Sequence, residues 1–441
     1  MKFENQLLNF AKKTSKIYRS ITGKGVRDVL KLIKRDIPNL KIKSVPSGFK
    51  AFDWIVPNEW HVEEAYILNK KGEKVIDFKK NNLHLVSYST SVNKILSLKD
   101  LNKNLFSINK LPTAIPYVTS YYKKSWGFCL SHNQRKKLKD KSYKVKIKSN
   151  FIKGFLNYGE VYLPGKTKKE IFISTYICHP VMANNESSGP TITKFLTEWI
   201  QSKKRFYSYR IIFIPETIGS IVYLKKNLKI MKKNIIAGFN INCVGDNRSY
   251  SYLPSRNGNS ISDKIAKHVL KWNNKKFIEY TWNERGSDER QYCSPGVDLP
   301  VVSLMRSKYG EYPEYHTSLD NFDRVVNAKG LLGGFKINKR AVEAIENNFY
   351  PVCKIPCEPK LSKYNLYNPQ NKNNYAHLHK FKSSLTDSLY NVLSHCDGKN
   401  SLLEISEKIL IPIWETYPII EKLKNLNLIK ISFKKLLKND I

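Results

Sequence analysis

The chain has 441 residues, of which 41% are hydrophobic and 12% aromatic, enough for packed cores in two or three domains and against global disorder. Its 76 Lys and Arg residues against 37 Asp and Glu give a net charge of +39, but they are dispersed along the chain, which favours solvated faces over a dedicated nucleic-acid surface. No apolar run could span a bilayer and the N-terminus lacks a signal-peptide core, so we predict a cytoplasmic protein with no membrane partner.

The first 111 residues have two textures. Residues 1–49 contain a helical pattern, "GVRDVLKLIKRDI", whereas residues 50–111 alternate polar and apolar positions around the turn "NKKGEK". We therefore predict a small antiparallel β domain at 50–111, inserted into a larger domain formed by 1–49 and 112–350.

The middle of the chain alternates strand and helix signals. Four short apolar runs, each bounded by helical patterns, are expected to be buried strands, at 170–178, 209–215, 235–245 and 299–307. Such alternation predicts an α/β fold with a mostly parallel sheet and helices on both faces.

The C-terminal segment changes texture again. Residues 351–380 are rich in Pro, Asn and Tyr and are predicted to be a linker, and residues 381–441 show short helices followed by a β segment, the order of a winged helix-turn-helix domain. A recognition helix in "IWETYPIIEKLKNL" could bind DNA, but Glu415 and Glu421 would face the phosphates. We favour a structural or protein-binding role over nucleic acid.

Chemically active side chains follow the predicted strands. In an open parallel sheet, ligands gather beyond the carboxyl ends of the strands. The residues that the sequence brings to that edge are His179, Glu186, Glu216, Asp246, Asp288 and His316.

This set of residue types suits a metal site. Imidazole nitrogens and carboxylate oxygens are typical zinc ligands, and a carboxylate beside the metal can take the proton of an activated water. We predict ligands among His179, Glu186, Asp246, Asp288 and His316, with Glu216 as the base. Asp320, four residues after His316, could accept a hydrogen bond from that histidine.

Ordinary structural roles are the alternatives for the same residues. His179 could sit in a turn before Pro180, and Glu216 could stabilise the N-terminus of the following helix. Asp246 could be a turn residue, and Asp320 could be a helix N-cap.

Four stretches resemble the zinc-dependent exopeptidases of peptidase clan MH, across residues 112–350. "CHPVMANNESSGP" is similar to the family's His loop and Asp-Asn-x-Ser-Gly loop, "PETIGS" to its Glu-Glu-x-Gly segment, "FNINCVG" to its Asn-x-Asp-x-x-Gly strand end, and "SDERQY…YHTSLDNFD" to its Ser-Asp and Tyr-His-Thr…Asp segments. With the β module and the C-terminal domain, the whole chain resembles an aminopeptidase-like branch that is sometimes linked with polysaccharide biosynthesis.

Three positions depart from the family pattern. Asn185, Thr217 and Asn242 stand where the family has carboxylate ligands, and an uncharged amide is a poor bridge between two cations. These departures from the family pattern therefore imply one zinc ion rather than two.

The sequence supports three functions. The first is a metal-dependent hydrolase that cleaves an amide of a peptide N-terminus or of an acylated amino-sugar. The second is an inactive aminopeptidase-like binding protein connected with polysaccharide biosynthesis. The third, suggested by the charge and the C-terminal domain alone, is a DNA-binding regulator.

Overall fold

The computed structural model describes residues 2–121, 123–274, 276–366 and 385–433. The chain divides into two compact units, one of residues 1–263 and 276–338 and one of residues 264–275 and 339–441. Among the described residues, no helix is long and apolar enough to cross a bilayer.

The strands are, in chain order, β1 (Lys41–Pro46), β2 (Lys50–Ala51), β3 (Trp54–Ile55), β4 (Glu59–Leu68), β5 (Lys74–Asp77), β6 (Val92–Ser97), β7 (Leu105–Phe106), β8 (Phe128–Cys129), β9 (Ser142–Ile152), β10 (Phe155–Leu163), β11 (Glu170–Tyr176), β12 (Ser208–Ile214), β13 (Ile235–Asn240), β14 (Ser251–Leu253), β15 (Ile278–Glu279), β16 (Val301–Met305), β17 (Tyr350–Cys353) and β18 (Ile429–Ser432). The helices are α1 (Phe3–Ser15), α2 (Lys24–Asp36), α3 (Leu98–Leu101), α4 (His132–Lys136), α5 (Ser188–Gln201), α6 (Ile218–Asn234), α7 (Ile261–Asn273), α8 (Glu289–Tyr292), α9 (Ala328–Glu346), α10 (Leu385–Ser394), α11 (Leu402–Lys408) and α12 (Ile413–Asn425).

An eight-stranded sheet in the order β1-β10-β12-β11-β13-β16-β14-β15 organises the first unit. Its four neighbouring strands β12, β11, β13 and β16 are parallel. β1 and β10 pair antiparallel with their neighbours, and β14 pairs antiparallel with β16 and parallel with β15. Every residue of β11 and β12 is buried, so both faces of the sheet are covered, as their nearly continuous apolar sequences require. The predicted α/β fold is confirmed, with a mixed sheet whose parallel strands form its middle.

A four-stranded antiparallel sheet in the order β5-β4-β9-β6 accompanies the main sheet. The predicted β domain at 50–111 supplies three of these strands, and the fourth, β9, follows residue 111 in the chain and pairs with β4 and β6. The alternation in β9, which buries Tyr143, Val145 and Ile147 between exposed or half-buried lysines, makes it a strand of this sheet.

The second unit contains the C-terminal helices and a two-stranded sheet of β17 and β18. Ser401 and Glu404 form a capping box at the start of α11, and Ile413, Ile420 and Leu423 bury one face of α12. The predicted winged helix is confirmed. Its strand β17 begins at Tyr350 and runs into the predicted linker 351–380, where Val352 and Cys353 pair with β18; residues 367–380 lie outside the described ranges.

Candidate active site

A cavity of about 600 Å³ opens in the first unit at the carboxyl ends of β11 and β12. His179 follows β11 and Glu216 follows β12, so the sheet itself brings these two side chains together. His316 lies beside them in the same cavity lining, whose aromatic walls include Trp54 and Tyr121.

His179 is held between two glutamates. Its Nδ1 lies 2.8 Å from Oε2 of Glu186, and its Nε2 lies 3.5 Å from Oε2 of Glu216. Burial lowers the pKa of His179, but the opposing effect of the neighbouring Cys178 and Glu186 is larger. The resulting pKa lies well above the ordinary value. Glu186 thus fixes the imidazole so that Nε2 is the nitrogen on the side of Glu216.

Glu186 is a partner of His179 rather than a cavity residue. Its side chain is fully buried, and its Oε1 lies 3.6 Å from Nη1 of Arg19, which is also fully buried. Glu186 is one of the predicted metal ligands, but in the structure its two oxygens face Arg19 and His179.

A single π-helical turn, Ala183–Ser187, sets the orientation of Glu186. Asp320 caps this turn: its Oδ1 accepts from the Asn184 backbone N–H at 2.7 Å and its Oδ2 from that of Asn185 at 2.9 Å. Burial raises the pKa of Asp320 to about 6. Asp320 was expected to accept a hydrogen bond from His316, and its oxygens instead bind this turn.

Glu216 combines an anchored oxygen with one near His179. Oγ of Ser287 donates to its Oε1 at 2.7 Å, while its own backbone N–H donates to Sγ of Cys178 at 3.2 Å. Burial raises the pKa of Glu216, which suits a general base near neutral pH. The next residue, Thr217, has φ of +63°, a strained conformation for a β-branched residue.

Asp288 supports the start of α6. Its Oδ1 accepts from the Thr217 backbone N–H at 2.7 Å and from Oγ of Ser220 at 2.8 Å. Burial, reinforced by the charge of Glu216, raises the pKa of Asp288 to about 8. Its Oδ2 is buried with no hydrogen-bond partner.

Asp246 is a loop residue with no oxygen to spare for a metal. Its Oδ1 accepts from Oγ of Ser307 at 2.8 Å and from the Arg248 backbone N–H at 2.9 Å. Its Oδ2 accepts from the Ser307 backbone N–H at 2.8 Å and from Nδ2 of Asn184 at 3.1 Å. The alternative interpretation, a turn residue, fits this geometry better than the predicted ligand role.

One imidazole nitrogen of His316 is available to a ligand. Its ring stacks on that of Tyr315 at 3.9 Å between centroids, and its buried Nε2 has no hydrogen-bond partner among the described residues. Burial, together with the charge of His179, lowers the pKa of His316 to about 3, so the ring is neutral and can act as a ligand. Tyr117 packs its ring 5.2 Å from both His179 and His316.

The donor set fits one metal ion and not two. Nδ1 of His179 is engaged by Glu186, so its Nε2, which lies 3.5 Å from Oε2 of Glu216, is the nitrogen that could bind an ion beside this carboxylate. The orphaned nitrogen of His316 is a further donor. Asn185, at the family's bridging position, has its Oδ1 bound by the Tyr176 hydroxyl at 2.7 Å, which leaves no charged bridge for a second ion.

Sequence reasoning missed three residues that shape the site. Arg19 and Tyr117 come from loops with no periodic signal, and Arg290, on the four-residue helix α8, lines the cavity beside Thr217. Arg19 and Tyr117 belong to no recognisable motif, and Arg290 lies within the stretch "SDERQY" without being singled out there. Only proximity in the folded chain identifies them.

Comparisons with known proteins agree with this description. A family model described as "Domain of unknown function (DUF4910)" matches residues 8–348, and one described as "winged helix-turn-helix" matches residues 349–431. A Clostridium acetobutylicum protein named "Putative polysaccharide biosynthesis protein with aminopeptidase-like domain" is 42% identical over 404 residues, which cover 91% of each chain.

Two solved structures define the fold relationship. A "putative peptidase" from Clostridium acetobutylicum is 40% identical with a TM-score of 0.89, covering 97% of this chain and 96% of that one. A "zinc aminopeptidase from Bacillus subtilis" is 13% identical with a TM-score of 0.58, covering 78% and 94%. At that identity the likeness establishes the fold alone, and the expected resemblance to zinc aminopeptidases is confirmed at that level.

Proposed function

Since the chain belongs to the family described as "Domain of unknown function (DUF4910)" and has an aminopeptidase-like fold, we propose that it is an amide hydrolase that uses one metal ion, with zinc as the expected metal. The observation that carries the proposal is one buried histidine, His179, beside the half-buried His316 and Glu216 in the lining of one cavity. One histidine is oriented by a carboxylate and the other has a free nitrogen.

His179 and His316 are the proposed ligands. A carboxylate that accepts from the far nitrogen of a ligating histidine is the common support of zinc-bound imidazoles, and Glu186 occupies that position for His179. Arg19 offsets the charge that Glu186 buries. The bound ion would polarise the amide carbonyl and lower the pKa of a water.

Glu216 is the proposed general base. Its Oε1 is fixed by Ser287, which leaves Oε2, near His179, to receive a proton. The pKa raised by burial lets the carboxyl hold that proton and return it to the leaving nitrogen. The substrate would be an amide in a peptide N-terminus or in an acylated amino-sugar; the name of the Clostridium relative supports the second class.

A metal-free binding protein is the second candidate, and one observation favours it. Among the described residues, the metal-type donor group already within 4.8 Å of one another is Cys178, His179 and Glu186, without His316. Burial raises the pKa of the Cys178 thiol to about 11, and Nδ1 of His179 already bonds Glu186, so this triplet is a poor zinc site as it stands.

Metal analysis separates the two candidates. The full chain, purified and also reloaded with zinc or manganese, is compared with His179→Ala, His316→Ala and the control His132→Ala, whose histidine lies outside the cavity. About one ion per chain in the wild type and control, lost in both site variants, supports the hydrolase. No bound ion after reloading rejects it in favour of the binding protein.

A further inference from the structure

Arg290 is a solvent-exposed residue that lines the cavity, and a hydrogen bond to Thr217 anchors its guanidinium. Its Nη2 donates to Oγ1 of Thr217 at 2.8 Å, and no carboxylate among the described residues pairs with it. A guanidinium carries five N–H donors in a planar fork, so several remain for a ligand. Its charge also reaches Glu216, where it offsets part of the burial-driven rise in pKa.

Some arginines of the first unit are neutralised by a carboxylate, whereas Arg135, Arg205 and Arg306 bond neutral oxygens, as Arg290 does. Arg27 and Arg248 each bind both oxygens of a glutamate, and Arg256 pairs with an aspartate at 2.8 Å. Arg290 instead has a neutral hydroxyl as its partner, which fixes the position of the guanidinium without cancelling its charge.

We propose that Arg290 binds a carboxylate of the ligand, so that the substrate is an acylated acid rather than a peptide with a free amine. This inference rests on the proposed function for the amide, and on Arg290 for the acid. The fork geometry suits bidentate recognition of a carboxylate. A free amino group would meet the positive charge of Arg290 in the same cavity.

The cavity accommodates either source of such a carboxylate. Its volume of about 600 Å³ suits a small molecule, and Trp54 and Tyr121 offer flat faces to an acyl group or a sugar ring. An N-acyl amino acid and an acidic N-acylated amino-sugar share the amide and the carboxylate. Separate probes distinguish them.

Calorimetric titration of the full chain tests the proposal with four probes. N-acetylglycine and N-acetylneuraminate carry the acid, N-acetylglycinamide is the neutral match of the first, and glycinamide is the amine. We expect at least one acid to bind more tightly than both uncharged and cationic probes. Whichever acid binds identifies the source.

The variants assign that preference to one side chain. Arg290→Gln should weaken acid binding by about 10- to 100-fold and leave the neutral probe unchanged, since hydrogen bonds to charged groups contribute about 1.5–3 kcal/mol. The acid affinity of Arg290→Lys should lie between those of the wild type and Arg290→Gln. Arg285→Gln removes the same charge from an exposed position outside the cavity lining and should change binding by less than about twofold.

Three results overturn the proposal: no acid bound at about 10 mM, acid and neutral probes bound equally, or equal losses in Arg290→Gln and Arg285→Gln. The readout is binding, so it is separate from hydrolysis. Acid binding without bound metal would reject the hydrolase and keep the carboxylate site. Hydrolysis of neutral amides with no preference for acids would do the reverse.

Discussion

Two buried arginines of the first unit occupy opposite situations. Arg210, on β12, donates to Glu170 at 2.6 and 3.0 Å, to Glu160 at 3.0 Å and to the Tyr223 hydroxyl at 3.1 Å. Arg19, behind the active site, has an ion pair of 3.6 Å with Glu186 and a 3.5 Å bond to Ser187, and its Nε and Nη1 lack hydrogen bonds.

The two clusters also differ in the sign of their pKa shifts. Despite burial, the pKa of Arg210 is raised, chiefly by Glu170, and the pKa of Glu160 is lowered, chiefly by Lys43 and Tyr223 with a contribution from Arg210. For Arg19 and Glu216 at the site, burial dominates: it lowers the pKa of Arg19 and raises that of Glu216. The Arg210 cluster, whose charged groups are hydrogen-bonded to one another, stabilises the sheet. The site, where charged groups lack such partners among the described residues, retains the capacity to bind a ligand.

The largest expected effect is on catalysis. Glu216→Gln keeps the shape of the side chain but removes the base, so turnover of an amide substrate should fall by about 10²- to 10⁴-fold. Steady-state kinetics measure it, with Glu63→Gln, at an exposed carboxylate, as the control. Turnover within a few-fold of wild type would remove Glu216 from the mechanism.

The next largest effect is on stability. Arg210→Met leaves Glu170 buried without its cation and Glu160 with Lys43 alone, and should lower the free energy of unfolding by about 3–5 kcal/mol. Urea unfolding followed by fluorescence measures the loss. Metal content per folded chain should not change; if it falls with stability, the two clusters are not independent.

A smaller effect is expected on metal affinity when Glu186, which contacts both His179 and Arg19, is changed. Glu186→Gln keeps a hydrogen-bond acceptor for His179 but removes its charge, and loss of such support typically weakens metal affinity by about 10- to 100-fold. Competition with a zinc chelator measures it. Unchanged affinity would mean that Glu186 serves Arg19 alone.

The residues at the strand ends could be predicted from the sequence, whereas the contacts that orient the residues around them could not. His179 and Glu216 follow apolar runs, and the strand-end rule brings them to one cavity. The orientation of Glu186 depends on a π-helical turn capped by Asp320, more than 130 residues away, which no local pattern encodes. The bonds of Asp246 and the position of Arg290 likewise arise from contacts between distant segments.

The smallest effect is on the pH dependence of stability, and it follows from Glu160. Its pKa in the folded chain lies below the ordinary 4.5, because Lys43, Tyr223 and Arg210 outweigh the effect of burial. A carboxyl with a depressed folded pKa contributes stability that is present above the unfolded value and is lost as pH falls through the folded one. The free energy of unfolding of the wild type should therefore fall below about pH 4.5. In Glu160→Gln the fall should be shallower, from a lower starting stability. Equal slopes of unfolding free energy against pH in the two proteins would show that the charge of Glu160 does not stabilise the Arg210 cluster.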